Sequence, residues 1–299
     1  MKYTDSKKIN SGNKASMKAD SDIESAYKKA IEFAVSHYEN FPVISFFLNN
    51  EIRKHVAIIY WFARTADDIA DEGVSDDEQR LSKLNRFEER LRELLKGNPE
   101  TEFEKALKST VETCTLDTAL FFDLLKAFKQ DVTKNRFGNA DELFSYCRYS
   151  ANPVGRLFLQ LHGIHNPEAY EFSDKICTAL QLTNFLQDVP ADFKRNRIYF
   201  PADEMNRTFV TENMFELNKI NDNLKLLVII SVERAQKLFD EGKPLLKFLA
   251  GKLKFQIKWT ILGGEEILNK IRKNNFNIFD NRPELSKTDF IRLLIKSFI

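Results

Sequence analysis

Apolar residues recur at three- and four-residue spacings along nearly the whole chain, and no convincing run alternates as a strand would. The first amphipathic segment spans Ser21 to His37, with Ser21 or Asp22 as its cap, and Phe41-Pro42 breaks it. Long helices are expected from about Asn50 to Ala70 and from about Asp76 to Lys96, the second stopped by Gly97-Asn98-Pro99. Further helices are expected over about 101–113, 116–134, 139–151, 153–163, 172–190, 211–240, 242–250 and 252–273. The breaks between them are short, as at Asn152-Pro153 and His165-Asn166-Pro167, and no Ser/Gly/Pro linker or fixed-period repeat intervenes. The pattern predicts an all-α fold, with a disordered polar leader over 1–20 and a single domain over 21–299.

Composition agrees with that pattern and narrows the function. Ten glycines and eight prolines in 299 residues suit long helices rather than a β-sandwich. Acidic and basic residues nearly cancel, at 44 and 45, so the electrostatic footprint of a nucleic-acid binder is missing. Cys114, Cys147 and Cys177 lie far apart, which fits a reducing compartment and gives neither a zinc motif nor a disulfide framework. The leader lacks a signal peptide's apolar core, and no stretch reaches the roughly 18 apolar residues of a membrane span. A cytoplasmic protein is expected. The segment Leu285 to Ile299 sets Phe290, Leu293, Leu294, Ile295 and Phe298 among Lys and Arg; it reads either as a packed terminal helix or as a peripheral membrane contact.

The chemistry is concentrated in two acidic stretches. Arg64-Thr65-Ala66-Asp67-Asp68-Ile69-Ala70-Asp71-Glu72-Gly73 ends an apolar helix; there Asp67 and Asp71 share one face, about 6 Å apart along the axis, and Asp68 and Glu72 pair beside them. Like charges so spaced, near a helix C-terminus, disfavour the helix. The stretch is either a solvated helix end or a place for something positive. Farther on, Asn184, Asp188 and Asp192 recur at successive fours in a segment otherwise filled by Leu182, Phe185, Leu186 and Val189, and Pro190 could kink its last turn. Two sets of oxygen ligands suit a hard cation such as Mg²⁺, which takes few carboxylates and completes its shell with water and phosphate oxygens. A ferritin-like di-iron centre is disfavoured, because no Glu-x-x-His occurs. Arg53, Arg64, Lys194, Arg195 and Arg197 flank the two stretches, either as ordinary surface ion pairs or as a clamp for a diphosphate. Phe41, Tyr60, Trp61, Phe62, Tyr146, Tyr149, Phe158 and Phe185 fall in or beside the same segments, where ring faces would suit a carbocation. His37 and His55 are also near, and His55 is expected on a helix surface.

These segments resemble the head-to-head isoprenyl diphosphate synthases, the family of squalene, phytoene and dehydrosqualene synthases. The resemblance runs over roughly 25–290 and is strongest in YWFARTADDIADE, in Tyr146-Cys147-Arg148-Tyr149-Ser150-Ala151-Asn152-Pro153-Val154-Gly155 and in QLTNFLQDVPADFKRNRIYFP. It implies an isoprenoid synthase helical bundle with a central cavity. It also implies Mg²⁺ held by Asp67, Asp71, Asn184, Asp188 and Asp192, diphosphate contacts from Tyr60, Arg64 and Arg197, and a catalytic Tyr146.

The chain departs from the condensing enzymes at several points. Tyr38-Glu39-Asn40-Phe41 stands where they carry Ser-Arg/Lys-Ser-Phe, Ser150-Ala151-Asn152 where they carry Val-Ala-Gly, and Gln187 where they carry arginine. In these features it looks like the bacterial hydroxysqualene synthase subgroup, which ionises presqualene diphosphate and quenches the cation with water. Glu39, Asn40, Asn152 and Gln187, with Phe41 beside them, would then line the substrate site and position that water. Two alternatives stand beside this reading: a synthase condensing two prenyl diphosphates, and a non-catalytic prenyl-lipid-binding or assembly protein.

Overall fold

Helix formation between Asn50 and Asp71 follows directly from the apolar spacing. His55, Ile58, Ile59, Phe62, Ala66 and Ala70 form one buried stripe, and Asp67, Asp68 and Asp71 stand half-buried along its flank. The structure, a computed structural model, describes residues 6–37, 48–71 and 76–298. Among them no strand occurs, and the all-α expectation holds. The chain groups into two compact units, Met1–Thr118 with Gln160–Gly163 and Ala119–Leu159 with Ile164–Ile299.

The first unit contains α1 (Ser6–His37), α2 (Asn50–Asp71), α3 (Asp77–Leu95) and α4 (Glu102–Thr113). Helix α1 starts at Ser6, well before the expected Ser21. It lies along α2 and α4, approaching closely through the fully buried Ala26, Ala30 and Ala34, while α3 packs on α2 and α4. Thr101 and Glu104 form a reciprocal capping box that starts α4. His55 is not on the surface, as expected from sequence, but 6% exposed within a polar chain. The Tyr27 hydroxyl donates to the Ala106 carbonyl, Thr110 Oγ1 lies 2.8 Å from that hydroxyl, and His55 Nδ1 lies 2.8 Å from Thr110 Oγ1. Since each hydroxyl carries one proton, Thr110 donates to Tyr27 and accepts from His55, which requires the Nδ1–H tautomer.

The second unit is organised on α8 (Pro167–Lys194), against which α6 (Ala140–Ser150), α11 (Asp222–Gly242) and α12 (Gly251–Lys273) pack. Also present are α5 (Ala119–Thr133), α7 (Asn152–Leu161), the short α9 (Ala202–Arg207) and α10 (Glu212–Glu216), a 3₁₀ turn (Lys243–Lys247) and α13 (Lys287–Phe298). Helix α8 is longer at both ends than expected. Asn166 caps it by accepting from the Ala169 amide with Pro167 in the first turn, and Pro190 lies inside it without ending it. The single helix expected over 211–240 is instead two, because Asn218 turns left-handed (φ 47°) after α10 and Asn221 caps α11 by accepting from Leu224. The segment 242–250 forms only the 3₁₀ turn. Gly155 lets α7 meet α8: a Cβ there would lie 2.4 Å from Cys177 Sγ and 2.5 Å from Ser173 Oγ. Helix α13 buries Leu293 and packs on α12, while Ile291 and Ile295 face outward. Among the described residues no helix is long and apolar enough to cross a membrane.

Candidate active site

In the first unit the acidic stretch sits on the last two turns of α2. Arg64 Nη1 donates to Asp67 Oδ2 at 3.1 Å, and its Nε lies 2.7 Å from Asp68 Oδ1 without hydrogen-bond alignment. The arginine thus bridges the two carboxylates on one helical face, and Asp71 closes α2 one turn later. Glu39, Asn40, Phe41 and Glu72 lie outside the described residues. Of the aromatics singled out in the sequence, Trp61 stacks on Phe103 at 4.3 Å and Phe62 packs on Phe87, so both serve the packing of this unit. Tyr60 stays half-buried, its ring 6.2 Å from that of Phe33.

In the second unit Asn184, Asp188 and Asp192 follow one face of α8, with Leu182, Leu186 and Val189 buried on the other. The end of that helix is a Schellman cap. The Arg197 amide donates to the Asp192 carbonyl at 2.8 Å, the Asn196 amide donates to Phe193, and Asn196 takes the left-handed conformation (φ 59°). The cap fixes Arg197 next to Asp192. Arg136 holds the turn from outside, donating to the Asn196 carbonyl at 2.5 Å while pairing with Glu212. Lys194 and Arg195 point to solvent, whereas Arg53 belongs to α2 of the first unit and reaches the Leu48 carbonyl at 3.4 Å.

Beside this cap lies an aromatic cluster. Tyr199 stacks flat on Phe185, with centroids 3.7 Å apart and planes at 4°, and Tyr146 lies 6.1 Å from Tyr199. Tyr146 hydrogen-bonds Asp131, whose carboxylate can only accept, so the Tyr199 hydroxyl donates to Tyr146 in turn. Burial first, then the Asp131 charge and Tyr199, hold the Tyr146 phenol well above its ordinary range. Tyr199 is raised as well, by burial and Asp131, against the opposing pull of Arg197. Both phenols are therefore protonated donors rather than bases. Neither Tyr199 nor Asp131 was expected from sequence, although Tyr199 lies inside the Arg-x-Tyr-Phe-Pro stretch that closes the second motif.

Two further candidates are placed in detail. Asn152, 8% exposed, accepts from the Thr178 hydroxyl at 3.0 Å through Oδ1, while the nearby Ser150 Oγ is buried without a hydrogen-bond partner. Gln187 is also buried, and its Nε2 donates to the Pro283 carbonyl at 2.5 Å, so this side chain anchors the 282–285 segment on α8. Beside it, Arg282 pairs with Asp188. A pocket at the end of α8 is lined by Phe185, Asp192, Arg197 and Tyr199 together with Leu182, Leu186 and Val189 from the buried face of that helix.

Whether these residues suit Mg²⁺ can be judged from their donors. All are oxygen ligands, and Asp67 and Asp188 are each already turned toward a guanidinium, which a hard cation could replace. Among the described residues no three His, Cys, Asp or Glu side chains gather as a ready-made cage. The donor set fits the ion.

An all-α protein carrying Asp-x-x-x-Asp on two helices, the second preceded by Asn and followed by Arg-x-Tyr, has the architecture of a head-to-head isoprenyl diphosphate synthase. The chain belongs to the squalene/phytoene synthase family, whose model matches residues 34–289. It is 41% identical over 192 residues to a hydroxysqualene synthase of Zymomonas mobilis, a match spanning 63% of this chain and 62% of that protein. It is 28% identical over 272 residues to phytoene synthase 2 of Solanum lycopersicum, spanning 89% of this chain and 87% of the relative. Among solved structures, squalene synthase HpnC of Alicyclobacillus acidocaldarius superposes with a TM-score of 0.82 at 36% identity, over 86% of this chain and 97% of that one. A dehydrosqualene synthase in complex with ligand shares the fold, with a TM-score of 0.83 at 24% identity, over 94% of this chain and 98% of that one.

Proposed function

We propose that this protein converts presqualene diphosphate to hydroxysqualene with release of diphosphate, in a Mg²⁺-dependent step of squalene and hopanoid biosynthesis. The observation that carries the reading is the likeness to a hydroxysqualene synthase at 41% identity. Polar residues stand where the condensing enzymes are apolar or basic, which supports it. Asp67, Asp71, Asn184, Asp188 and Asp192 would hold the metal. When bound, it would offset the charge growing on the departing diphosphate.

The remaining work falls to the chain itself. Arg64 and Arg197 carry the planar forks that bind diphosphate oxygens. As the carbon–oxygen bond to diphosphate breaks, Tyr146, a phenol kept protonated, turns its one proton from Asp131 to an oxygen of the leaving group. The face of Phe185 turned away from Tyr199 favours the cation left on the carbon skeleton. Water then adds to that cation and loses a proton to the released diphosphate, which completes the alcohol. Asn152 and Ser150 would hold the water: the Asn152 oxygen accepts from Thr178, which leaves its amide nitrogen to donate, and the buried Ser150 hydroxyl has no partner.

Condensation of two prenyl diphosphates is the second reading, favoured by the phytoene synthase likeness over 89% of the chain. Incubation with Mg²⁺ and either presqualene or farnesyl diphosphate separates the two. An alcohol from the first and no product from the second is expected. A C30 hydrocarbon or presqualene diphosphate formed from farnesyl diphosphate would overturn the proposal.

A further inference from the structure

We infer that Arg282 is a resident counter-ion for Asp188, occupying in the metal-free protein the carboxylate that a divalent cation must take from it. The inference rests on the reading of Asp188 as a metal ligand. The contact is bidentate: Arg282 Nε donates to Asp188 Oδ1 at 2.6 Å and Nη2 to Oδ2 at 3.2 Å, so both carboxylate oxygens are engaged. The arginine comes from a segment 94 residues away in sequence, and that segment is fixed at the adjoining residue. Pro283 is buried, and its carbonyl accepts from Gln187, the neighbour of Asp188 on α8. Just upstream, Asn277 ties its own turn by accepting from the Phe279 amide and donating to Asp280. Gln187 and Asp188 thus bind Pro283 and Arg282 as a pair of neighbours on each side.

The guanidinium is held but not trapped. Its side chain is 50% exposed, and Nη1 lies 3.3 Å from Glu284, a second carboxylate that can receive it. An exposed pair of this kind is weak and screened by salt, so a doubly charged ion outcompetes it, at the cost of some affinity. Gln187 is then a positioning residue: it holds the loop that aims Arg282.

The test is Mn²⁺ binding to the full-length, substrate-free protein, followed by electron paramagnetic resonance at low ionic strength. Arg282→Gln is expected to bind Mn²⁺ about fivefold more tightly than wild type, with the difference shrinking as salt is added. Gln187→Ala, which frees Pro283, should shift affinity in the same direction by less. The gain should vanish when Asp188→Asn is combined with Arg282→Gln. Equal affinities in wild type and Arg282→Gln, or a gain that survives Asp188→Asn, would overturn the inference. Product analysis with presqualene diphosphate on the same preparations keeps the two claims apart. Alcohol formation with unchanged Mn²⁺ affinity defeats the counter-ion role alone, whereas a gain in affinity without alcohol defeats the proposed reaction alone.

Discussion

The hydroxyl of Tyr199 is hydrogen-bonded to that of Tyr146, and the Tyr199 ring stacks at 3.7 Å on Phe185 of α8. One residue just past α8 therefore joins a protonated phenol to an aromatic face. Tyr146→Phe should lower kcat about 10²-fold with little change in KM. Because burial and Asp131 raise the Tyr146 phenol, the wild-type rate should show no alkaline limb from this group below about pH 10. A steady-state pH profile of both proteins checks this, and a tyrosine-dependent limb near neutrality would contradict it.

Asp67→Asn and Asp188→Asn should each reduce kcat by about 10²-fold or more and raise the Mg²⁺ concentration needed for half-maximal rate. Excess chelator should abolish turnover in wild type. Turnover undiminished in chelator would contradict the role given to both motifs.

Much of this was legible in sequence, and the reasons are local. The shared faces of Asp67 with Asp71 and of Asp188 with Asp192 follow from helical spacing once the surrounding apolar period is recognised. The contacts around them did not follow, because their partners lie far along the chain: Arg282 is 94 residues from Asp188 and Pro283 is 96 from Gln187. Gln187 reads in sequence as a polar substitution near water, but its amide is committed to a loop carbonyl. His55 looked like a surface residue because a polar side chain amid apolar ones gives no sign of a partner 55 residues away. The break after α10 was hidden for another reason. A left-handed Asn218 and a capping Asn221 look in sequence like the polar face of a continuing helix.

Gly155→Ala should destabilise the protein by about 1–3 kcal/mol, because the added methyl overlaps Cys177 Sγ and Ser173 Oγ where α7 meets α8. Thermal melts would show it, and adding Cys177→Ala should restore part of the loss. An unchanged melting temperature would mean the two helices separate freely.

His55 should titrate below its ordinary value, because burial and then the charge of Lys54 disfavour the imidazolium, outweighing Glu51 and Glu24. A depressed folded-state value means the contribution to stability is complete above about pH 6.5 and is lost as pH falls through the folded-state value. Denaturant melts of wild type and His55→Gln should therefore converge on acidification, with NMR titration giving the histidine directly. An imidazole titrating at or above the ordinary value would contradict the buried chain through Thr110 and Tyr27.

The central claim is that water captures a rearranged cation at carbon. Incubating the enzyme with Mg²⁺ and presqualene diphosphate in ¹⁸O-labelled water, then weighing the extracted alcohol by mass spectrometry, tests it most directly. The account predicts hydroxysqualene carrying one labelled oxygen, since the carbon–oxygen bond to diphosphate is the one that breaks. Unlabelled presqualene alcohol, the mark of cleavage at phosphorus, or a hydrocarbon with no oxygen at all, would contradict it.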